Sequence, residues 1–121
     1  PKIQQRPQKP LNTSIQKAIE RITFCYQNDL SIKELAETAN LSPSRFFTVF
    51  RQETGMTPIT YKNYVCIQNA EKMLLTTDFS MEEISEKLGF HSSSYFRRTF
   101  RAFTGKSPRE YRKEIQAKLK L

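Results

Sequence analysis

Apolar residues recur at helical intervals along most of this chain. Ile15, Ala18, Ile19, Ile22 and Tyr26 form one stripe, and Thr13 reads as an N-cap with Gln16 three residues on. The pattern predicts a first helix from Thr13 to about Asn28. Leu35, Ala36 and Ala39, and later Ile84, Ser85 and Leu88, mark the inward sides of two short helices. Each opens on a capping box, Ser31-x-x-Glu34 or Ser80-x-x-Glu83, and each is expected to end where a left-handed backbone is tolerated, at Asn40 or Gly89. Leu41 and Phe90 then plug the turn into the core. A second helix follows in each case, capped by Ser42 with Pro43 in its first turn, or by His91 or Ser92. Both second helices stop at a glycine, Gly55 or Gly105.

Thr57-Pro58 and Ser107-Pro108 each start another helix. From Pro58 to residue 76 neither glycine nor a further proline interrupts Ile59, Tyr61, Val65, Ile67, Ala70, Met73 and Leu74. That stretch reads as one connecting helix of about 17 to 19 residues, roughly 27 Å long. The first 12 residues hold three prolines, no aromatic side chain and little apolar content, as expected of a linker or tail.

These elements repeat. Residues 42–61 align with 92–111, with identities at Ser42/Ser92, Ser44/Ser94, Phe46/Phe96, Phe50/Phe100, Arg51/Arg101, Thr54/Thr104, Gly55/Gly105, Pro58/Pro108 and Tyr61/Tyr111. Upstream, residues 30–41 match 79–90 one position out of step, so the second unit has an extra residue in its turn. The expected fold is all-α: two helix-turn-helix subdomains (13–56 and 77–121) joined by a connecting helix (57–76), with about seven helices and residues 1–12 as linker or tail.

Charge sharpens this picture. The 121-residue chain carries a formal net charge of +8. Residues 92–121 hold nine basic and two acidic side chains, +7 in all, whereas residues 30–55 balance to zero. Such clustering is the footprint of a polyanion partner, with a merely solubilising surface as the bland alternative. No apolar run approaches the length of a membrane span and no signal-peptide pattern is present. Cys25 and Cys66 stand 41 positions apart in apolar helical stretches; lacking CxxC spacing, they read as small buried hydrophobes, and no metal or cofactor is expected. The start at Pro1 is consistent with a fragment of a longer protein.

In a helix-turn-helix unit the second helix enters the DNA major groove while its other face packs on the first. Phe46 and Phe50, like Phe96 and Phe100, lie at i and i+4 and define the core face, extended by Val49 and Phe103. The outward set is Ser44, Arg45, Phe47, Thr48 and Arg51 in the first unit, and Ser93, Ser94, Arg97, Arg98 and Arg101 in the second. Arginine forks onto guanine or clamps phosphate, and serines allow close approach. Along their own helix, Arg97, Arg98 and Arg101 have no acidic residue at i±4, so they read as unpaired. Phe47, in register with Arg97, either covers a thymine methyl or is partly buried. Lys106, Arg109 and Arg112, with Arg51 and Arg101, are the expected phosphate contacts. His91, the only histidine, reads as a cap or phosphate contact. Glu82, Glu83 and Glu86 read as a solvated helix face, with a basic protein partner as the alternative.

At these residues the chain resembles a known family. SSSYFRRTFRAFTGKSPREYR (92–112), preceded by ISEKLGF (84–90), is similar to the C-terminal signature of AraC/XylS-type transcription regulators, and IKELAETANLSPSRFFTVFRQETGMTP to that family's first helix-turn-helix. The resemblance covers about residues 13–115 and departs from the family pattern at Cys66, where relatives often carry Arg. It implies a bacterial, cytoplasmic promoter reader that binds double-stranded DNA, more often an activator than a repressor. RNA polymerase is then an implied partner, as is a separate N-terminal effector-binding or dimerisation domain absent from this chain, with 1–12 as the interdomain linker. Two other readings compete: a helical protein-interaction module, which would show exposed apolar stripes or mixed charge on its outer helix faces rather than unpaired Arg97, Arg98 and Arg101, and a DNA-repair transferase, which would need a reactive cysteine near a histidine or metal cluster. Neither Cys25 nor Cys66 has that neighbourhood, so enzymatic activity is not expected.

Overall fold

The computed structural model describes residues 12–119, so the expected linker lies outside the described residues except for Asn12. Among them the chain forms seven helices and no strand: α1 Thr13–Cys25, α2 Ile32–Thr38, α3 Pro43–Thr54, α4 Pro58–Thr76, α5 Met81–Lys87, α6 Ser93–Thr104 and α7 Pro108–Leu119. The all-α, doubled helix-turn-helix architecture is therefore present, and α4 is the long connecting helix. The chain divides into two compact units between Val65 and Cys66, inside α4. That helix is thus shared, its first half contributing to one core and its second half to the other.

In the first unit, Ile15, Ala18 and Ile22 of α1 pack with Leu35, Ala36 and Ala39, with Phe46 and Phe50 of α3, and with Val65 of α4. Asn12, not Thr13, caps α1: its Oδ1 accepts from the Ser14 N–H at 2.8 Å. The Asn12 N–H donates in turn to Glu53 Oε1 at 2.9 Å, tying the start of α1 to the end of α3. The helix ends at Cys25 rather than near Asn28, because Gln27, Asn28 and Asp29 offer no apolar side chain to prolong the stripe. Cys25 is accordingly half-buried, whereas Cys66 is buried.

Both turns between paired helices close in the same way. The Asn40 N–H reaches Glu37 O at 3.0 Å and the Leu41 N–H reaches Ala36 O at 2.9 Å; Gly89 and Phe90 repeat this onto Glu86 O and Ser85 O, both at 3.0 Å. This is the Schellman arrangement, and it needs one left-handed residue just past the helix. Asn40 supplies it at φ 60° and Gly89 at φ 83°. The capping boxes at Ser31/Glu34 and Ser80/Glu83 are both formed. Ser92, not His91, caps α6, accepting from the Tyr95 N–H at 3.0 Å.

The second unit buries Cys66, Ile67, Ala70 and Leu74 of α4 together with Met81, Ile84, Leu88, Phe96 and Phe100. The Cys66 thiol points at Leu88 O, 3.7 Å away, so it acts as a small packed side chain with a weak donor. Phe100 meets Tyr111 edge-on, with ring centroids 5.4 Å apart, as Phe50 meets Tyr61 at 5.6 Å in the first unit. Ser85 and Thr99 are buried polar residues of this core.

Arg112, expected among the phosphate contacts, has a different task. It is only partly exposed, and its guanidinium donates to Leu74 O at 3.3 Å, Thr77 O at 3.1 Å and Phe79 O at 2.7 Å. These carbonyls belong to the end of α4 and the segment entering α5. Carbonyls at a helix end lack intrahelical donors, and a planar fork with several N–H groups can serve three at once. Arg112 therefore fixes the path from α4 into α5. Arg112→Ala is expected to destabilise the chain by about 1–3 kcal/mol, and Arg112→Lys by less. Urea denaturation checks this; a loss below 0.5 kcal/mol, on the order of an ordinary surface substitution, would rule the role out.

Candidate nucleic-acid interface

The outer faces of α3 and α6 follow from what their inner faces bury. Phe46 and Phe50, and Phe96 and Phe100, are fully buried. At 3.6 residues per turn, the two positions that follow Phe46 and the two that follow Phe96 turn away from that face, while Val49 and the buried Thr99 stay on the core side. On α3, Ser44, Arg45, Phe47, Thr48 and Arg51 are all exposed. Phe47 is 38% exposed, an outward aromatic rather than a core ring. On α6, Ser94, Arg97, Arg98 and Arg101 are exposed and Ser93 is half-buried.

One exposed residue of this face escaped the sequence reading. Tyr95 is 42% exposed, and its ring packs on Phe90 with centroids 5.6 Å apart. The Arg98 guanidinium carbon lies 5.9 Å from its ring centre, and Arg98 Nη1 donates to Ser94 Oγ at 3.3 Å. Arg98 is thus braced at two points on its own helix. The repeat register held the signal: Tyr95 aligns with Arg45, which was already assigned outward.

The arginines of α6 are not all unpaired, because their acidic neighbours lie on other helices. Arg97 Nη2 is 3.0 Å from Glu82 Oε2 on α5, and Arg101 Nη1 is 3.8 Å from Glu110 Oε1 on α7. Lys106 pairs with Glu114. Hydrogen bonds with Ser107, backbone first, hold the Glu110 carboxyl below its usual range, with Arg101 and Lys106 adding to the effect. A hydrogen bond at its own backbone and then the Arg97 side chain do the same for Glu82. These pairs are exposed and screened by water, so each cation can exchange its partner. Among the described residues, no ion pair is formed by Arg45 or Arg51 of α3.

Arg109 and Lys113 of α7, with Met81 and Glu82 of α5 and its cap Ser80, line an open groove. Arg109 and Lys113 are exposed, as is His91 beside the α6 cap. Among the described residues no group of three or more His, Cys, Asp or Glu side chains could hold a metal ion, and no helix is long and apolar enough to cross a membrane.

Residues 35–114 match the family model described as a helix-turn-helix domain. The chain is 34% identical over 91 residues to the Msm operon regulatory protein of Streptococcus mutans, covering 75% of this chain and 33% of that protein. It is 29% identical over 111 residues to the arabinose operon regulatory protein of Escherichia coli, covering 91% and 38%. It thus spans about a third of the length of these curated relatives. Among solved structures, the DNA-binding domain of AdpA, a global transcriptional factor in complex with a target DNA, superposes with a TM-score of 0.82 at 26% identity, covering 88% of this chain and 96% of that one. The C-terminal domain of the response regulator AraT from Geobacillus stearothermophilus gives 0.81 at 28% identity, covering 88% of each. The doubled helix-turn-helix frame, its family match and these relatives, which are transcription regulators rather than enzymes, agree: the chain belongs to the AraC/XylS-type helix-turn-helix family.

Proposed function

We propose that this chain is the DNA-binding part of a bacterial transcription regulator, inserting α3 and α6 into successive major grooves of one asymmetric promoter site. The observation that carries this reading is the outer face of α6, where Arg97, Arg98 and Arg101 and Ser94 stand exposed behind a capped helix N-terminus. Such a face offers fork donors for guanine and small residues for close approach. The similarity to a domain solved with its target DNA supports the same reading. Regulation of an operon, more often by activation, contact with RNA polymerase and a further effector-binding or dimerisation domain belong to the same proposal. They rest on the family and on relatives of which this chain matches only about a third.

Arg51, Arg101, Lys106 and Arg109 are the proposed phosphate contacts. Arg112 leaves that set, since its donors already serve three carbonyls. Four neutralised phosphates give a log–log salt slope of about −3.6. Fluorescence anisotropy with a duplex selected from a random pool checks this; a slope near zero favours the protein-interaction module instead.

Two heads on one site make spacing decisive. Footprinting is expected to show two protected major-groove patches about one helical turn apart. Inserting about five base pairs between them turns one patch to the opposite side of the duplex and should abolish tight binding. Undiminished affinity after the insertion would remove the two-headed reading.

The two heads are expected to read differently. A bidentate arginine–guanine contact is worth about 1–3 kcal/mol of discrimination, so Arg98→Ala or Arg97→Ala should relax preference at one or two base pairs of the second half-site. Phe47→Ala should cost less, and its effect should vanish when the facing thymine is replaced by uracil, which lacks the methyl. An equal loss on all duplexes, together with a drop of several degrees in Tm, would mean that the ring supports the fold instead.

A further inference from the structure

Arg97 and Arg98 are adjacent on α6 but held in opposite ways. Arg98 is braced on its own helix by Ser94 and the Tyr95 ring. Arg97 is drawn back to α5, its Nη2 3.0 Å from Glu82 Oε2, with the two side chains 43% and 68% exposed. Glu82 is not part of the α5 capping box, which uses Ser80 and Glu83. Its side chain is largely exposed, in the first turn of α5, where a negative charge also suits the helix N-terminus. Its carboxyl is held below the usual range by the hydrogen bond at its own backbone, then by Arg97 and, at longer reach, by Arg109. It is therefore a standing anion beside the reading face, at a position the fold does not require to be acidic.

On the reading that α6 enters a major groove, we propose that Glu82 is a specificity-determining positioning residue, which withholds Arg97 from DNA phosphate and releases it only to a correctly placed base. Magnitudes decide the order of preference. An exposed pair such as Arg97–Glu82 shifts an equilibrium by about fivefold at most. A single phosphate contact gives Arg97 a charge partner of similar kind, but it also brings the Glu82 carboxylate toward the polyanion. On random DNA, Arg97 therefore stays with Glu82. A guanine presenting O6 and N7 offers a two-point contact that discriminates roughly five- to 150-fold, which exceeds the pair, and Arg97 changes partner. The acidic residue thus lowers affinity for the wrong duplex more than for the right one.

The test uses the whole chain, a duplex selected from a random pool by the wild type, and a random-sequence duplex of equal length. Glu82→Gln is expected to raise affinity for the random duplex roughly two- to fivefold, the range an exposed pair spans. Affinity for the selected duplex should rise less, so the ratio between them falls, while Glu82→Asp should retain most of the ratio. Glu86→Gln removes the same charge from the same helix and should raise both affinities alike. In an Arg97→Ala background, Glu82→Gln should no longer change the ratio. The inference is overturned if Glu86→Gln lowers the ratio as much as Glu82→Gln, or if the Glu82→Gln effect on the ratio survives without Arg97. If the wild type selects no duplex at all, the DNA-binding reading falls and this inference with it. Intact selection without coupling between the two residues overturns this inference alone.

Discussion

Phe46 and Phe50, and fifty positions later Phe96 and Phe100, are sealed from water one helical turn apart. The adjacent rings of each pair lie 5.4 Å and 6.0 Å apart, and the second ring of each meets a tyrosine from the helix that follows, Tyr61 or Tyr111. Fully burying one such side chain is worth about 1.5–3 kcal/mol, so rotating α3 or α6 about its axis would expose more than any outward contact could return. The helices are therefore clamped by their apolar sides, and the identity of every outward position follows. The outward side chains take little part in the packing and are presented by helices that cannot turn.

The clamp needs the chain to arrive at a fixed angle, which the turn before each reading helix provides. A single left-handed residue, Asn40 or Gly89, lets the backbone fold back on the last carbonyls of α2 or α5 and aim Leu41 or Phe90 inward. A helix stop follows at Gly55 and Gly105, at φ 80° and 82°, with no atom within 4 Å of where a Cβ would stand at either position. Those glycines are required by backbone conformation alone and not by crowding. Thr54 and Thr104 repeat one further device. Each hydroxyl lies 2.8 Å from the carbonyl four residues back, at Phe50 or Phe100, and accepts the N–H two residues on. The extra residue of the second unit, His91, is absorbed just before the cap and leaves the Phe96–Phe100 spacing untouched.

Nearly all of this frame was legible in the sequence, because caps, left-handed turns and i, i+4 apolar pairs are local and the repeat states each of them twice. The outward face was legible for the same reason, and Tyr95 was missed only because its register with Arg45 was not followed through. The misreadings share one physical character. Arg97–Glu82, Arg101–Glu110 and the three carbonyl contacts of Arg112 join residues 9 to 38 positions apart, on helices whose mutual packing no i±4 rule describes. The bond from the Asn12 N–H to Glu53, 41 positions away, is of the same kind, whereas the Asn12 cap itself is local. A charged side chain announces that it needs a partner, but only the tertiary fold says whether that partner is water, a carbonyl, a carboxylate or something outside the chain.

That distinction separates the cations of the second unit into two sorts. Arg112 is partly buried, and its three carbonyls would lose their donor if it left, so it belongs to the scaffold. Arg97, Arg101 and Lys106 are paired with carboxylates in water, where each attraction is small and screened. Three arginines on one twelve-residue helix repel each other, and Glu82 and Glu110 relieve that repulsion in the free chain without fixing the side chains. A polyanion can replace the partners of Arg101 and Lys106 at little cost, because each cation exchanges one exposed contact for another. The first unit has the opposite design: Arg45 and Arg51 form no ion pair among the described residues, yet residues 30–55 carry no net charge. One scaffold, used twice, thus presents a face of buffered positive charge and a face that combines two arginines with an exposed phenylalanine. The phenylalanine clamp and its tyrosine partner are the same in both units, so this difference lies in the side chains that the clamp leaves outside.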